Sequence, residues 1–309
     1  MRRPLRTDPP ARRGVSLVEL LVVMTIIAIL AALTIGALGK AIDWVKHSNT
    51  ERTISKVFKK LDDRLLAIAT AKGEPHPAVY RYVAASRDER ERAQVIHRKL
   101  LYKIRFPMSY AEVQANAASG DPLALALWKD LQSQCVNKSP LRSNNPETEP
   151  GACLALILAQ MQSLDEFSPS ELIDTDGDGV KEVCDAWGKP LRFFRWPTAD
   201  LRVERAYGKT PPAGQPGVDF QDPTGLLNET TWRQQYGPLF ERDFHRLEPP
   251  PRLAVYAPLV IASAGPDGKF GIVWPPPGAP DPMALDPANA GDELDNLYSF
   301  RLRLAITGQ

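Results

Sequence analysis

The sequence predicts an α+β protein: a long N-terminal helix, membrane-spanning and then amphipathic, packed on a head with extra helices and a small antiparallel sheet. Three observations carry this expectation. An uncharged run of twenty residues, Leu20–Gly39, stands near the front and is long enough to span a bilayer as a helix. Apolar residues then recur at helical spacing through Ile54, Val57, Phe58, Leu61, Leu65 and Ile68. Short β-patterned segments fall late in the chain, among prolines.

Five arginines crowd the first fourteen residues, ending Arg12-Arg13-Gly14. The apolar run opens at Val15 and carries a single acid, Glu19, at its entrance, where an ionised side chain is costly and usually has a task. The basic flank predicts a cytoplasmic N-terminus, with everything after Lys40 on the far side of the membrane. With the amphipathic stretch added, the helix is expected from about Val15 to Ala71, on the order of 85 Å. Gly73-Glu-Pro75-His-Pro77 stops it.

Two or three helices are expected next, over Ser86–Ile104, Asp121–Gln134 and Ala152–Phe167. The second opens on Asp121-Pro122, a capping residue followed by proline in the first turn. Strands are expected at Pro190–Trp196, Leu253–Ala264 and Leu297–Ile306, and Ser299–Leu304 alternates as a strand with one wet face does. The proline clusters at 211–212, 249–251 and 275–277 argue for strand and loop rather than helix in the C-terminal half. Residues 199–248 read as irregular. The expected organisation is a basic leader over 1–14, removed; a long helix over 15–72, in the membrane to about 39; and an extracytoplasmic head over 73–309, helical over 86–170, sheet and loops over 171–309.

Composition narrows the function. A formal net charge of +1, from 38 basic and 37 acidic side chains, provides no field for nucleic acid. No Gly-x-Ser-x-Gly, His-Glu-x-x-His, Cys-x-x-Cys or phosphate-binding glycine loop occurs, and the four histidines are scattered, so no enzyme is expected. Three cysteines allow one disulfide in an oxidising compartment; Cys135–Cys153 is the favoured pair, closing the polar loop between them, with three separate thiols as the alternative.

The second strong signal is Asp174-Thr-Asp176-Gly-Asp178-Gly179-Val-Lys-Glu182-Val-Cys-Asp185. On the EF-hand loop template, oxygen ligands fall at positions one, three, five, nine and twelve, with glycine at six and the Val180 carbonyl at seven. Hard oxygens at this spacing suit calcium. Asp185 stands where the template has glutamate, Lys181 replaces an apolar residue, and Trp187-Gly188-Lys-Pro190 forbids an exit helix. A metal-free Asp/Gly turn is the alternative.

The segment over roughly residues 12–34 resembles the processing segment of type IV pilins and of type II secretion pseudopilins. That resemblance implies cleavage after Gly14 by a prepilin peptidase, methylation of Val15, and a role for Glu19 in filament assembly. It also implies homologous subunits, an inner-membrane assembly platform and membrane lipid as partners, with the head in the periplasm. Asp185-Ala-Trp187-Gly188-Lys-Pro190 is similar to the segment before the first sheet strand of major pseudopilins, and Ser263-Ala-Gly265-Pro-Asp267-Gly268 resembles the loop after their second. With Gly291-Asp292-Glu-Leu-Asp295 before the last strand, this implies a structural calcium with Asp267, Asp292 and Asp295 as ligands. Residues 86–170 have no counterpart in the compact major subunits, so the larger head is more like some minor pseudopilins. The retained Glu19 departs from the tip-capping minor subunit, which generally lacks that acid. The alternative functions are a membrane-anchored extracytoplasmic protein that binds calcium or another ligand without polymerising, and a secreted calcium-binding protein cleaved near Gly39.

Overall fold

The computed structural model describes residues 16–71, 73–84, 89–136, 145, 147–196, 221–222, 224–244, 259–272 and 290–301. The leader, Gly14 and Val15 lie outside them, as do the three proline clusters. The chain divides into two compact units, Met1–Val45 and Lys46–Gln309.

The first unit holds the beginning of helix α1 (Leu17–Ala69), which is long and apolar enough to cross a membrane. Leu20, Leu21, Val22, Val23, Ile26 and Ile27 are all exposed, pointing in every direction round the helix. The two hydroxyls in this stretch are satisfied locally: Thr25 Oγ1 donates to the Leu21 carbonyl at 2.8 Å and Thr34 Oγ1 to the Leu30 carbonyl at 2.7 Å. Neither threonine hydroxyl is therefore left to face hydrocarbon unpaired.

In the second unit α1 becomes one-faced. Ile54, Val57, Leu61, Leu65 and Ile68 are at most 5 % exposed, as their spacing predicts, and join the main core. Four helices follow: α2 (Arg90–Arg105), α3 (Tyr110–Ala117), α4 (Pro122–Gln134) and α5 (Glu149–Gln160). Asp121 caps α4 by accepting from Leu123 N and Ala124 N, with Pro122 in the first turn. Ser109 caps α3 by accepting from Glu112 N, while Glu112 reaches back to Met108 N, a variant of the capping box.

Helix α5 is buried continuously from Glu149 to Leu158. Gly151 makes this possible: a Cβ there would sit 3.1 Å from the Leu191 carbonyl and 3.2 Å from Glu182 Cβ. The helix ends earlier than the expected Phe167 because Gln162 adopts φ 53, a left-handed conformation that halts propagation. A 3₁₀ turn, Leu164–Glu166, follows.

Two antiparallel sheets complete the unit. Strands β1 (Leu172–Ile173) and β2 (Glu182–Val183) form a hairpin around the Asp-rich loop. Strands β3 (Arg192–Phe194), β4 (Val260–Ser263) and β5 (Leu297–Tyr298) form a sheet in that order, Phe193 opposite Ile261 and Ala262 opposite Tyr298. The architecture is α+β as expected, with all three late strands in place.

Three expectations are corrected. The strand expected to run on through Ser299 ends sooner: β5 stops at Tyr298 and residues 299–301 turn helically, while 302–306 lie outside the described residues. Ser299 Oγ there accepts from Ile261 N at 3.1 Å, replacing the ladder bond that a continuing strand would supply. The C-terminal half also contains a helix, α6 (Thr230–Asp243), despite Pro238 inside it. Proline removes one i−4 donor, but burial of Trp232 and Phe240 against Tyr82 and Val79 holds the turn together. Finally, Cys135 and Cys153 are not bridged; all three cysteines are free and buried. Hydrogen bonds tie the ends of the loop between them down instead: Val136 N donates to the Asp178 carbonyl at 2.7 Å and Thr148 Oγ1 to Asp176 at 2.6 Å.

Candidate functional site

Two places in the chain hold the candidate functional residues, and each is built by different physics. The first is the start of α1. Glu19 lies in its first turn and is exposed. Ser16 precedes the helix and its carbonyl accepts from Leu20 N at 3.1 Å. An acid in a first turn faces the positive end of the helix dipole, and here it stands among exposed apolar neighbours, with Leu17 and Val18 before it and Leu20 and Leu21 after it. The arrangement puts one carboxylate at the start of an uncharged stretch of helix that runs to Gly39. A scan for known families matches residues 9–35 to the model described as the prokaryotic N-terminal methylation motif. The chain carries this motif at its N-terminus.

The N-terminal methylation motif is typical of the signal of type IV pilin and pseudopilin precursors. It implies processing by prepilin peptidase and assembly with other pilin subunits. It also points to a structural subunit rather than an enzyme. No curated protein and no solved structure matches the chain.

The second place is the hairpin loop between β1 and β2. Oxygens of Asp174, Asp176, Asp178 and Glu182 gather within 4.8 Å of one another. The loop shapes itself through its own carboxylates. Asp174 accepts from Gly177 N and Gly179 N, Asp176 from Asp178 N, and Asp178 from Val180 N. These Asx turns are what Asp-x-Asp-Gly-Asp-Gly favours, with Gly177 at φ 78 and Gly179 at φ 94. Three contacts then seat the loop on the helices: Tyr110 OH of α3 on Asp178 at 2.8 Å, Thr148 on Asp176, and Val136 N on the Asp178 carbonyl.

Glu182, at position nine, is fully buried. Its Oε2 accepts from Thr175 N at 2.6 Å, while Oε1 is buried without a hydrogen-bond partner. Burial, with Asp176 and Asp178 nearby, pushes its carboxyl up to about 7, against the Thr175 hydrogen bond. Asp178 is raised for the same leading reason, burial. Among the described residues no salt bridge reaches any of the four acids.

Asp185, the position-twelve expectation, is not in this group. Its carboxylate accepts from Trp187 N and Lys189 N at 2.9 Å and from Ser263 Oγ at 2.6 Å. Asp185 thus closes the Trp187-Gly188 turn and joins it to the end of β4. Its oxygens are not among those that converge with Asp174, from which β2 separates it in the chain. Val180, at position seven, is buried, and its amide is held by Asp178.

The acids of the later loop are arranged differently. Asp267 N donates to Asp295 at 3.4 Å, and Asp267 itself accepts from Lys269 N at 2.8 Å. Asp292 pairs with Lys269 at 3.7 Å. Gly265 turns at φ 68 directly against the Asp295 carbonyl. The residues between, 273–289, lie outside the described set. Sequence reasoning missed Tyr110, Thr148 and Val136 as partners of the Asp-rich loop. Tyr110 and Thr148 lie 68 and 28 residues from the aspartates they hold, and no local pattern signals such pairings.

Proposed function

We propose that this chain is a subunit of a pilin-like filament, a type II secretion-type pseudopilus ahead of an adhesive or uptake pilus. The observation that carries the reading is the methylation motif over residues 9–35 running into an all-round apolar helix with Glu19 in its first turn. Cleavage after Gly14 frees the amine of Val15. Glu19 neutralises such an amine on a neighbouring subunit, so that neither charge is left alone in an apolar filament core. The exposed apolar surface from Leu17 to Leu33 is covered by inner-membrane lipid before assembly and by neighbouring helices after it. The head lies in the periplasm and an inner-membrane platform drives assembly.

The preference for a pseudopilus rests on the two resembling segments. Asp185-Ala-Trp187-Gly188-Lys-Pro190 leads directly into β3, Ser263–Gly268 follows β4, and the Asp185–Ser263 hydrogen bond joins them. The test is Glu19→Ala in the native membrane. Leader cleavage should persist while incorporation into cross-linkable oligomers falls at least tenfold, the effect expected when a partnered charge loses its counter-charge at about 3 kcal/mol. Wild-type levels of incorporation by this variant would refute the assignment.

A further inference from the structure

The hairpin loop offers a site that does not depend on the filament reading. We propose that Asp174, Asp176, Asp178 and Glu182 bind one calcium ion, and that the ion locks the β1–β2 hairpin onto helices α3, α4 and α5. Two independent observations support it. One is the convergence of the four acids within 4.8 Å, on a loop whose backbone turns are set by Gly177 and Gly179. The other is Glu182, a carboxylate fully buried at the edge of that cluster with Oε1 unpartnered. A buried oxygen without a donor is costly, and a cation removes that cost. Four acids this close repel one another, and among the described residues no salt bridge offsets them.

The donor set selects the ion. It consists of carboxylates alone, which suits a hard cation rather than zinc or copper. Several carboxylates gathered on one loop favour the larger, irregular shell of calcium over the strict octahedron of magnesium, which keeps most of its waters.

The ligands also explain what binding would do. Asp178 is held by Tyr110 of α3, its carbonyl by Val136 just past α4, and Asp176 by Thr148 at the start of α5. Glu182 belongs to β2, against which Gly151 of α5 packs. An ion at the centre would therefore stiffen the junction of three helices and a hairpin, not the loop alone. Asp185 is outside the converging group and turns instead towards Trp187, Lys189 and Ser263.

The test uses the full chain in detergent, stripped with EGTA and titrated with calcium by calorimetry. Asp174→Asn, at an exposed position, and Glu182→Gln are run beside it. Each variant should bind one calcium fewer per chain, or bind it at least tenfold more weakly. The calcium-dependent rise in wild-type Tm should shrink in both. Retention of wild-type stoichiometry and affinity by Asp174→Asn, whose fold is checked by circular dichroism, would overturn the proposal. So would the absence of calcium binding to the wild type, or tighter binding of magnesium than of calcium.

Discussion

Gly179 is the position at which a single methyl group should do most damage to the head. It turns at φ 94, a region that side chains other than hydrogen rarely enter. A Cβ there would stand 2.5 Å from the Gln134 carbonyl at the end of α4 and 3.2 Å from Val136. Gly177, two residues away, provides the internal control: it turns at φ 78, and a Cβ added there would meet nothing within 4 Å. Gly177→Ala should therefore cost only the left-handed backbone term, about 1–2 kcal/mol. Gly179→Ala adds overlap with the Gln134 carbonyl, two residues from Val136, whose N–H ties this segment to the Asp178 carbonyl, and overpacking of this kind costs about 1–3 kcal/mol more. The expected total is about 2–5 kcal/mol. Denaturant unfolding of the full chain in nonionic detergent, followed by tryptophan fluorescence with EGTA throughout, measures both variants without any contribution from metal. Equal destabilisation by the two substitutions would show that the loop is not seated against α4, and the account of the hairpin would fail with it.

Two further outcomes are expected of the same unit. Arg195, buried beneath the helices, forms a two-pronged pair with Glu112 at 2.9 Å and donates to the Phe106 carbonyl at 2.9 Å. Although burial opposes ionisation of Glu112, Arg195 holds its carboxyl below the usual range, so Arg195→Ala should cost about 3–5 kcal/mol in urea unfolding. A loss under about 1 kcal/mol would refute the pairing. Glu171 accepts from Thr53 at 2.6 Å and from Lys56 at 2.9 Å, both on α1. Burial raises its carboxyl pKa, but those hydrogen bonds and Ser168 outweigh it and hold the group at about 2. Because the folded-state value is depressed, its stabilisation is complete above about pH 4.5 and disappears as pH falls towards 2. After allowance for solvent screening it amounts to about 1–2 kcal/mol. Tm measured from about pH 5 to about pH 2.5 should fall less steeply for Glu171→Gln than for the wild type; parallel curves would contradict the assignment.

How far these features could be read from the sequence depended on how local their causes are. The apolar run, the stripe from Ile54 to Ile68 and the cap at Asp121 are written in adjacent residues, and each is found where its pattern places it. The strand cores at Arg192–Phe194 and Val260–Ser263 were legible because β-branched and aromatic residues cluster there. Helix α6 was not, since Pro238 argues against a helix that only burial of Trp232 and Phe240 rescues. The alternation after Ser299 was misleading because a serine side chain ends the ladder there. In the acidic loop the spacing of Asp174, Asp176, Asp178 and Glu182 was legible. The commitment of Asp185 to Ser263, 78 residues away, was not.

The central claim rests on the first residue of the mature chain. Its most direct test is the intact mass and N-terminal sequence of the protein extracted from its native membrane. A chain that begins at Val15 and carries one additional methyl group on its amine is the predicted result, and follows from the motif over residues 9–35. A chain that still begins at Met1, or one that begins near Lys40, would contradict it.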